Sequence, residues 1–163
     1  MSDDLVLGVV QFSCSADAQE NADTAERLAR QAAAQGAKEE TMAERKVRVG
    51  MCGLGSFSYV IANTVQRSQK IELVTCFDPV AERRAATAAR YGCAQETSFE
   101  AMVKRADLDG VLLVSPNAFH REQTEMAAAH GKHVYVEKPI ANTLDDGRRM
   151  IAACEKAGVT LLI

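Results

Sequence analysis

The segment Gly53-Leu54-Gly55-Ser56-Phe57-Ser58 follows directly on the apolar run VRVGMC, and its glycines have the type and spacing to hold an anion. Glycine at 53 lets the chain turn sharply out of a strand, and glycine at 55 has no Cβ to keep a pyrophosphate away from the backbone. A helix starting there, with Ser56 and Phe57 at its beginning, offers unpaired N–H groups and the positive end of its dipole to that anion. Ser58 occupies the third position of such a fingerprint, where a small residue keeps helix and strand close. Asp78 ends the next apolar run, where a carboxylate can accept both hydroxyls of an adenosine ribose. Plainer readings stand beside these. A GxG is also a simple tight turn, and Asp78-Pro79 is also an N-cap followed by proline at the first helical position. Arg83 and Arg84 could neutralise a 2′-phosphate, although on a surface helix such residues are usually solvated. The acid favours NAD, with NADP the alternative.

Further along, SPNAFH (115–120) and VEKP (136–139) each close an apolar run. Pro139 restricts the backbone of Lys138 to extended geometry and permits a cis bond, which fixes where the ammonium group points. A loop lysine is ordinarily just a solvated charge, and His120 at a helix start can simply bond locally.

These residues need a frame, and the hydrophobic pattern supplies one. From Lys46 onward, short apolar runs alternate with helical stretches: strands are expected at 47–53, 71–77, 93–96, 110–115, 133–137 and 159–163. Helices are expected at 56–68, 80–90, 99–105, 119–130 and 144–157. Continuous apolar strands joined by helices predict a parallel sheet covered on both faces, a doubly wound α/β domain with strand order 3-2-1-4-5-6. Ligands of such sheets bind outside the carboxyl ends of the strands, so all the segments named above converge on one rim.

Glycine turn, acid, Ser-Pro-Asn and Glu-Lys-Pro, in this order over residues 46–163, resemble the Gfo/Idh/MocA oxidoreductase family. The resemblance implies a Rossmann domain that binds NAD, or NADP, through Gly53, Gly55, Ser56, Phe57 and Asp78. It implies that Pro116 and Asn117 lie along the nicotinamide end, with Ser115 where the family often has threonine. Glu137 and Lys138 then flank the nicotinamide, Lys138 is the catalytic lysine, and His120 matches the histidine common three residues after the asparagine. Beside a bound dinucleotide the Lys138 ammonium is expected to be partly desolvated, which lowers the cost of giving up its proton. The substrate implied is a sugar, cyclitol or similar polyol. The family's α/β substrate domain, with its further catalytic groups, follows the Rossmann domain and is not expected here, so the chain alone is expected to turn over little. A homo-oligomer is open to the full-length family member, and a dinucleotide-binding module or chimeric fragment without turnover is the alternative reading.

The first part of the chain differs. LVLGVVQF (5–12) reads as a strand, and alanines and Leu28 recur after it at helical spacing up to Gly36. KEETMAERK (38–46) reads as a linker, dividing a strand–helix appendage, 1–41, from the Rossmann domain, 42–163. Residues 5–37 resemble the amino terminus of the nitrilase superfamily, but none of that family's catalytic glutamate, lysine and cysteine can be placed, so no carbon–nitrogen hydrolase chemistry carries over. Net charge is −3, so there is no basic field for nucleic acid or an anionic membrane. Cys14, Cys52, Cys76, Cys93 and Cys154 are scattered without a CxxC pair, which argues against a disulfide framework and a structural zinc site. No signal segment or bilayer-length apolar run is seen, so a reduced cytoplasm is the default expectation.

Overall fold

The computed structural model describes residues 45–163. The appendage expected over 1–41, its seam at Met42 and the nitrilase-like stretch lie outside the described residues.

The apolar runs form a six-stranded parallel sheet in the order β3-β2-β1-β4-β5-β6. Its strands are β1 (Val47–Cys52), β2 (Ile71–Phe77), β3 (Ala94–Gln95), β4 (Gly110–Leu113), β5 (His133–Val136) and β6 (Leu161–Leu162). Between them run α1 (Ser58–Arg67), α2 (Ala81–Tyr91), α3 (Phe99–Val103), α4 (His120–Ala129) and α5 (Leu144–Ala157), with a 3-10 turn at Asn117–Phe119. The central strand β4 is buried at every position, which is why its sequence GVLL carries no polar alternation. Two apolar clusters cover the two faces. Val49, Met51, Leu54 and Leu112 pack with Ala62 and Val65 of α1 on one side. Met102 and Val103 of α3, Ala127 and Ala128 of α4 and Met150 of α5 pack on Val111, Leu113 and Val134 on the other.

Local chemistry sets the helix ends. Ser98 and Thr143 precede α3 and α5, and their hydroxyls accept from the N–H groups of Ala101 and Asp146. Gly92 closes α2 at φ 70°, the left-handed conformation that ends many helices. Helix α1 starts two residues later than the sequence pattern suggests, because Ser56 and Phe57 belong to the turn and not to the helix. The strand ends expected at 115 and 163 also come earlier, at Leu113 and Leu162. Among the described residues no helix is long and apolar enough to cross a membrane.

The amino-terminal edge of the sheet is tied by charge. Asp109, just before β4, accepts the Arg48 N–H of β1 at 2.7 Å and pairs with Arg45. Burial alone would raise the Asp109 carboxyl, but the Arg48 N–H and the Arg45 and Arg48 guanidinium groups outweigh it and hold the carboxyl below its ordinary value. A depressed folded value contributes stability that is fully present above the unfolded value and fades as pH falls through the folded one. Asp109→Asn is therefore expected to be less stable than the parent at neutral pH, with the gap closing below pH 3.8. Urea unfolding across that range checks this; a gap independent of pH would remove the ionic contribution.

Candidate functional site

At the opposite, carboxyl-terminal edge the chain changes direction. It winds from β1 outward through β2 and β3, then returns to place β4 on the other side of β1. The crevice between the ends of β1 and β4 is the switch point where ligands of doubly wound sheets bind.

Gly53 makes that crevice. Its φ is +89°, and a Cβ there would lie 2.4 Å from the Ser115 nitrogen and 2.6 Å from the Val114 carbonyl carbon. The first glycine thus serves the turn and also lets the ends of β1 and β4 approach. Gly55 is different: a Cβ at that position would meet nothing within 4 Å. The space above it is open, on the side where the backbone N–H groups of Gly55, Ser56 and Phe57 have no hydrogen-bond partner among the described residues. No side chain caps α1 either. Ser58 is buried, and its hydroxyl donates to the Gly55 carbonyl at 2.6 Å, so serine at the third fingerprint position closes the loop instead of opening it. A row of unsatisfied donors at a helix start, with room for ligand over a Cβ-free residue, fits a pyrophosphate.

Asp78 divides its carboxylate between two backbone donors. Oδ2 accepts from Leu54 N at 2.8 Å and Oδ1 from Val80 N at 2.9 Å. Asp78 is not the N-cap expected, and Pro79 is not the first helical residue: α2 starts at Ala81 after Val80, with no side-chain cap. Oδ1 makes a local turn with Val80 instead, and the second oxygen pins the glycine loop to the end of β2. A carboxylate has about four acceptor directions, of which these bonds use two, and the side chain is only 4% exposed. Arg84 donates to the Asp78 carbonyl at 2.6 Å, whereas Arg83 stays half-exposed with Nη1 3.7 Å from Asp78 Oδ1.

The segments after β4 and β5 meet the glycine loop. Ser115 donates to Gln123 Oε1, and the Gln123 amide donates to Cys52 Sγ at 3.2 Å, joining the β4 loop to α4 and to the end of β1. Burial, with a contribution from the Asp78 charge, pushes the Cys52 thiol up to about 12, so it stays protonated. Asn117 bonds Asn142 across the two loops. The Lys138–Pro139 bond is cis, and Lys138 Nζ stands 5.7 Å from the centre of the Phe57 ring. Lys138 is exposed, and among the described residues it has no carboxylate partner. Among the described residues the Phe57 ring stands beside the ammonium. Glu137 is held from two sides, accepting the Tyr135 hydroxyl at 2.6 Å and the Lys138 N–H at 3.2 Å. Burial first, then the Glu137 carboxylate, pushes Tyr135 up to about 12, which keeps its hydroxyl a donor.

His120 is only 1% exposed. Nε2 lies 2.8 Å from the Ser115 carbonyl, and Nδ1 lies 3.2 Å from the carbonyls of Pro139 and Ile140. Both ring nitrogens face main-chain carbonyls, and the ring lies between the β4 loop and the Lys-Pro loop. Gln123, Tyr135 and Asn142 also contact the rim residues. They hold Ser115, Glu137 and Asn117, and nothing in their local sequence marks them.

Fold and rim together define a nicotinamide-dinucleotide-binding domain of the oxidoreductase kind. Residues 47–163 match the family model of the Gfo/Idh/MocA oxidoreductases, an oxidoreductase family with an NAD-binding Rossmann fold, and the chain belongs to that family. It is similar to the 1,5-anhydro-D-fructose reductase of Ensifer adhaerens, 45% identical over 91 residues that make up 55% of this chain and 27% of that protein. It is also similar to a scyllo-inositol 2-dehydrogenase (NADP(+)) of Bacillus subtilis, 35% identical over 58% of this chain and 29% of the dehydrogenase. Among solved structures, the WlbA dehydrogenase of Bordetella pertussis, in complex with NADH and UDP-GlcNAcA, superposes with a TM-score of 0.69 and 35% identity, covering 72% of this chain and 36% of that one. The chain thus spans roughly a third of the length of these relatives.

Proposed function

We propose that residues 46–163 bind NAD, or NADP, along this rim and serve hydride transfer to or from a sugar, cyclitol or similar polyol. One observation carries the reading: the unpaired N–H groups of Gly55, Ser56 and Phe57 open onto the same crevice as the Lys138 ammonium, which leans on Phe57. The reductase and dehydrogenase named above support the substrate class.

In this reading the glycine loop and the start of α1 hold the pyrophosphate, and Asp78 takes the adenosine ribose with its remaining acceptor directions. Hydride donation or acceptance is the chemistry that the nicotinamide supplies when bound. Lys138 does the acid–base part: its ammonium holds the substrate oxygen and shares a proton as that oxygen passes between alcohol and carbonyl. Glu137, oriented by Tyr135, fixes the Lys138 backbone. His120 is a positioning residue that keeps the Ser-Pro-Asn and Lys-Pro loops at a set separation.

Fluorescence titration with NADH and NADPH tests the reading. Asp78→Asn removes the charge and keeps an acceptor for one of the two backbone donors, Leu54 or Val80. It is expected to weaken NADH by about tenfold, the equivalent of one hydrogen bond to a charged group, and NADPH by less. Equal losses for both would leave Asp78 a purely structural residue, and no binding by the parent would end the proposal.

A further inference from the structure

The buried ring of His120 meets acceptors on both sides. Nε2 faces the Ser115 carbonyl at 2.8 Å in the loop after β4, and Nδ1 faces those of Pro139 and Ile140 at 3.2 Å in the loop after β5. Among the described residues no backbone N–H bonds any of these three oxygens. A neutral imidazole has one N–H and one lone pair, so it serves one loop and turns its lone pair on the other. With the proton on Nδ1, that lone pair stands against the Ser115 oxygen; with the proton on Nε2, it faces both Pro139 and Ile140. An imidazolium donates on both sides. The ring is 1% exposed, so the three carbonyls take the place of its hydration shell. Charged groups on the surrounding elements are otherwise engaged. On α4 itself Arg121 pairs with Glu125, and with Asp146 of α5, while Glu122 and Asp145 are exposed. Glu137 of the β5 loop accepts from Tyr135 and from the Lys138 N–H, and the Lys138 ammonium stands at the Phe57 ring. From β1, Cys52 keeps its proton. Among the described residues no carboxylate forms an ion pair with the His120 ring.

We propose that His120 is a titratable clasp of the rim: as an imidazolium it donates to both loops and sets the distance between the Ser-Pro-Asn segment and Lys138. Loss of one proton leaves a lone pair against a carbonyl and releases one side. The bond between Asn117 and Asn142 spans the same two loops, so it feels the release. His120 acts through these loops and is a positioning residue. The form that holds the rim together is the protonated one, so NADH affinity falls as pH rises through the deprotonation of this ring. That consequence rests on the cofactor reading above.

NMR of the 15N-labelled chain reads the ring directly, because ring nitrogen shifts separate imidazolium from neutral imidazole. The chain's other two histidines, His130 and His133, are exposed and serve as references. Across a series from about pH 5 to about pH 9, bracketing the ordinary histidine value near 6.5, His120 is expected to carry two ring protons at the acid end and lose one. The side-chain amide signals of Asn117 and Asn142 should shift with that loss. The NADH dissociation constant, followed by fluorescence over the same series, should rise about tenfold through the same midpoint, as for one lost hydrogen bond to a charged group. His120→Gln donates from one side and does not titrate, so it should bind NADH at every pH as weakly as the deprotonated parent. A ring that never carries two protons, or never loses one in this range, overturns the clasp, as do amide signals that ignore its titration. Affinity that stays flat across the ring's midpoint, or a pH dependence kept by His120→Gln, overturns the link to the cofactor. If the parent binds no NADH at any pH, the cofactor reading fails instead, and the ring and amide signals still decide the clasp.

Discussion

Gly53→Ala is expected to cost the domain about 2–6 kcal/mol of stability, the sum of a left-handed backbone forced on an ordinary residue and an overpacked contact. The φ of +89° is the first part. The second is steric: the new Cβ would stand 2.4 Å from Ser115 N and 2.5 Å from its Cα, and both are main-chain atoms. They cannot yield without disturbing the adjoining bond from Val114 N to Cys52 O, 2.8 Å long, that continues the β1–β4 pairing. Urea unfolding followed by circular dichroism reads the loss. Gly55→Val provides the contrast. Nothing lies within 4 Å of its Cβ, and its φ is outside the left-handed region, so stability should stay within about 0.5 kcal/mol of the parent. Its side chain instead fills the space over the unpaired N–H groups, and NADH affinity should fall by about a hundredfold, close to the worth of two such bonds. A parent-like Gly53→Ala, or a Gly55→Val that binds NADH normally, would break this division of labour between fold and ligand.

That division also marks what the sequence could tell. Strand and helix bounds were readable where local chemistry decides them. The run IELVTCF matches β2 residue for residue, and the span between Thr143 and Gly158 matches α5, because an apolar strand and a capped helix announce their own ends. The strand order follows from reading six alternating strand–helix units as a Rossmann-type doubly wound domain, not from crossover handedness by itself. The rim was legible in part. Gly55 and Asp78 carry signals in their spacing, and Lys138 in the proline that follows it. Other features have no local signal because their partners are distant in the chain. Gly53 meets Ser115 through space, and His120 meets carbonyls of the loops after β4 and after β5. Gln123 spans 71 residues to reach Cys52. The start of α1 has no local signal, because Ser56 and Phe57 suit a helix as well as a turn. What holds them out of the helix is the Ser58 hydroxyl on the Gly55 carbonyl and the pinning of Leu54 N–H by Asp78.

On the proposed function, Lys138→Met in a full-length family member that carries this domain should lower the rate of polyol oxidation by about 10²–10⁴, the usual share of a positioned acid–base group. Cofactor binding should barely change. The exposed contact with Phe57 is worth about 0.5–1 kcal/mol, so the NADH dissociation constant moves by no more than about fivefold. Stopped-flow absorbance of the nicotinamide reads the rate, and fluorescence titration reads the affinity. Lys138→Arg separates the two halves of the role. A guanidinium keeps the positive charge and can hold an oxygen, but it does not give up a proton in the working range. If proton sharing matters, Lys138→Arg falls with Lys138→Met; if the charge alone suffices, it recovers most of the rate. Tyr135→Phe adds a graded test, since it frees Glu137 Oε1 without touching the ammonium and should lower the rate far less than Lys138→Met. Full turnover by Lys138→Met would leave the cis Lys-Pro loop a structural element and move the acid–base work to another group.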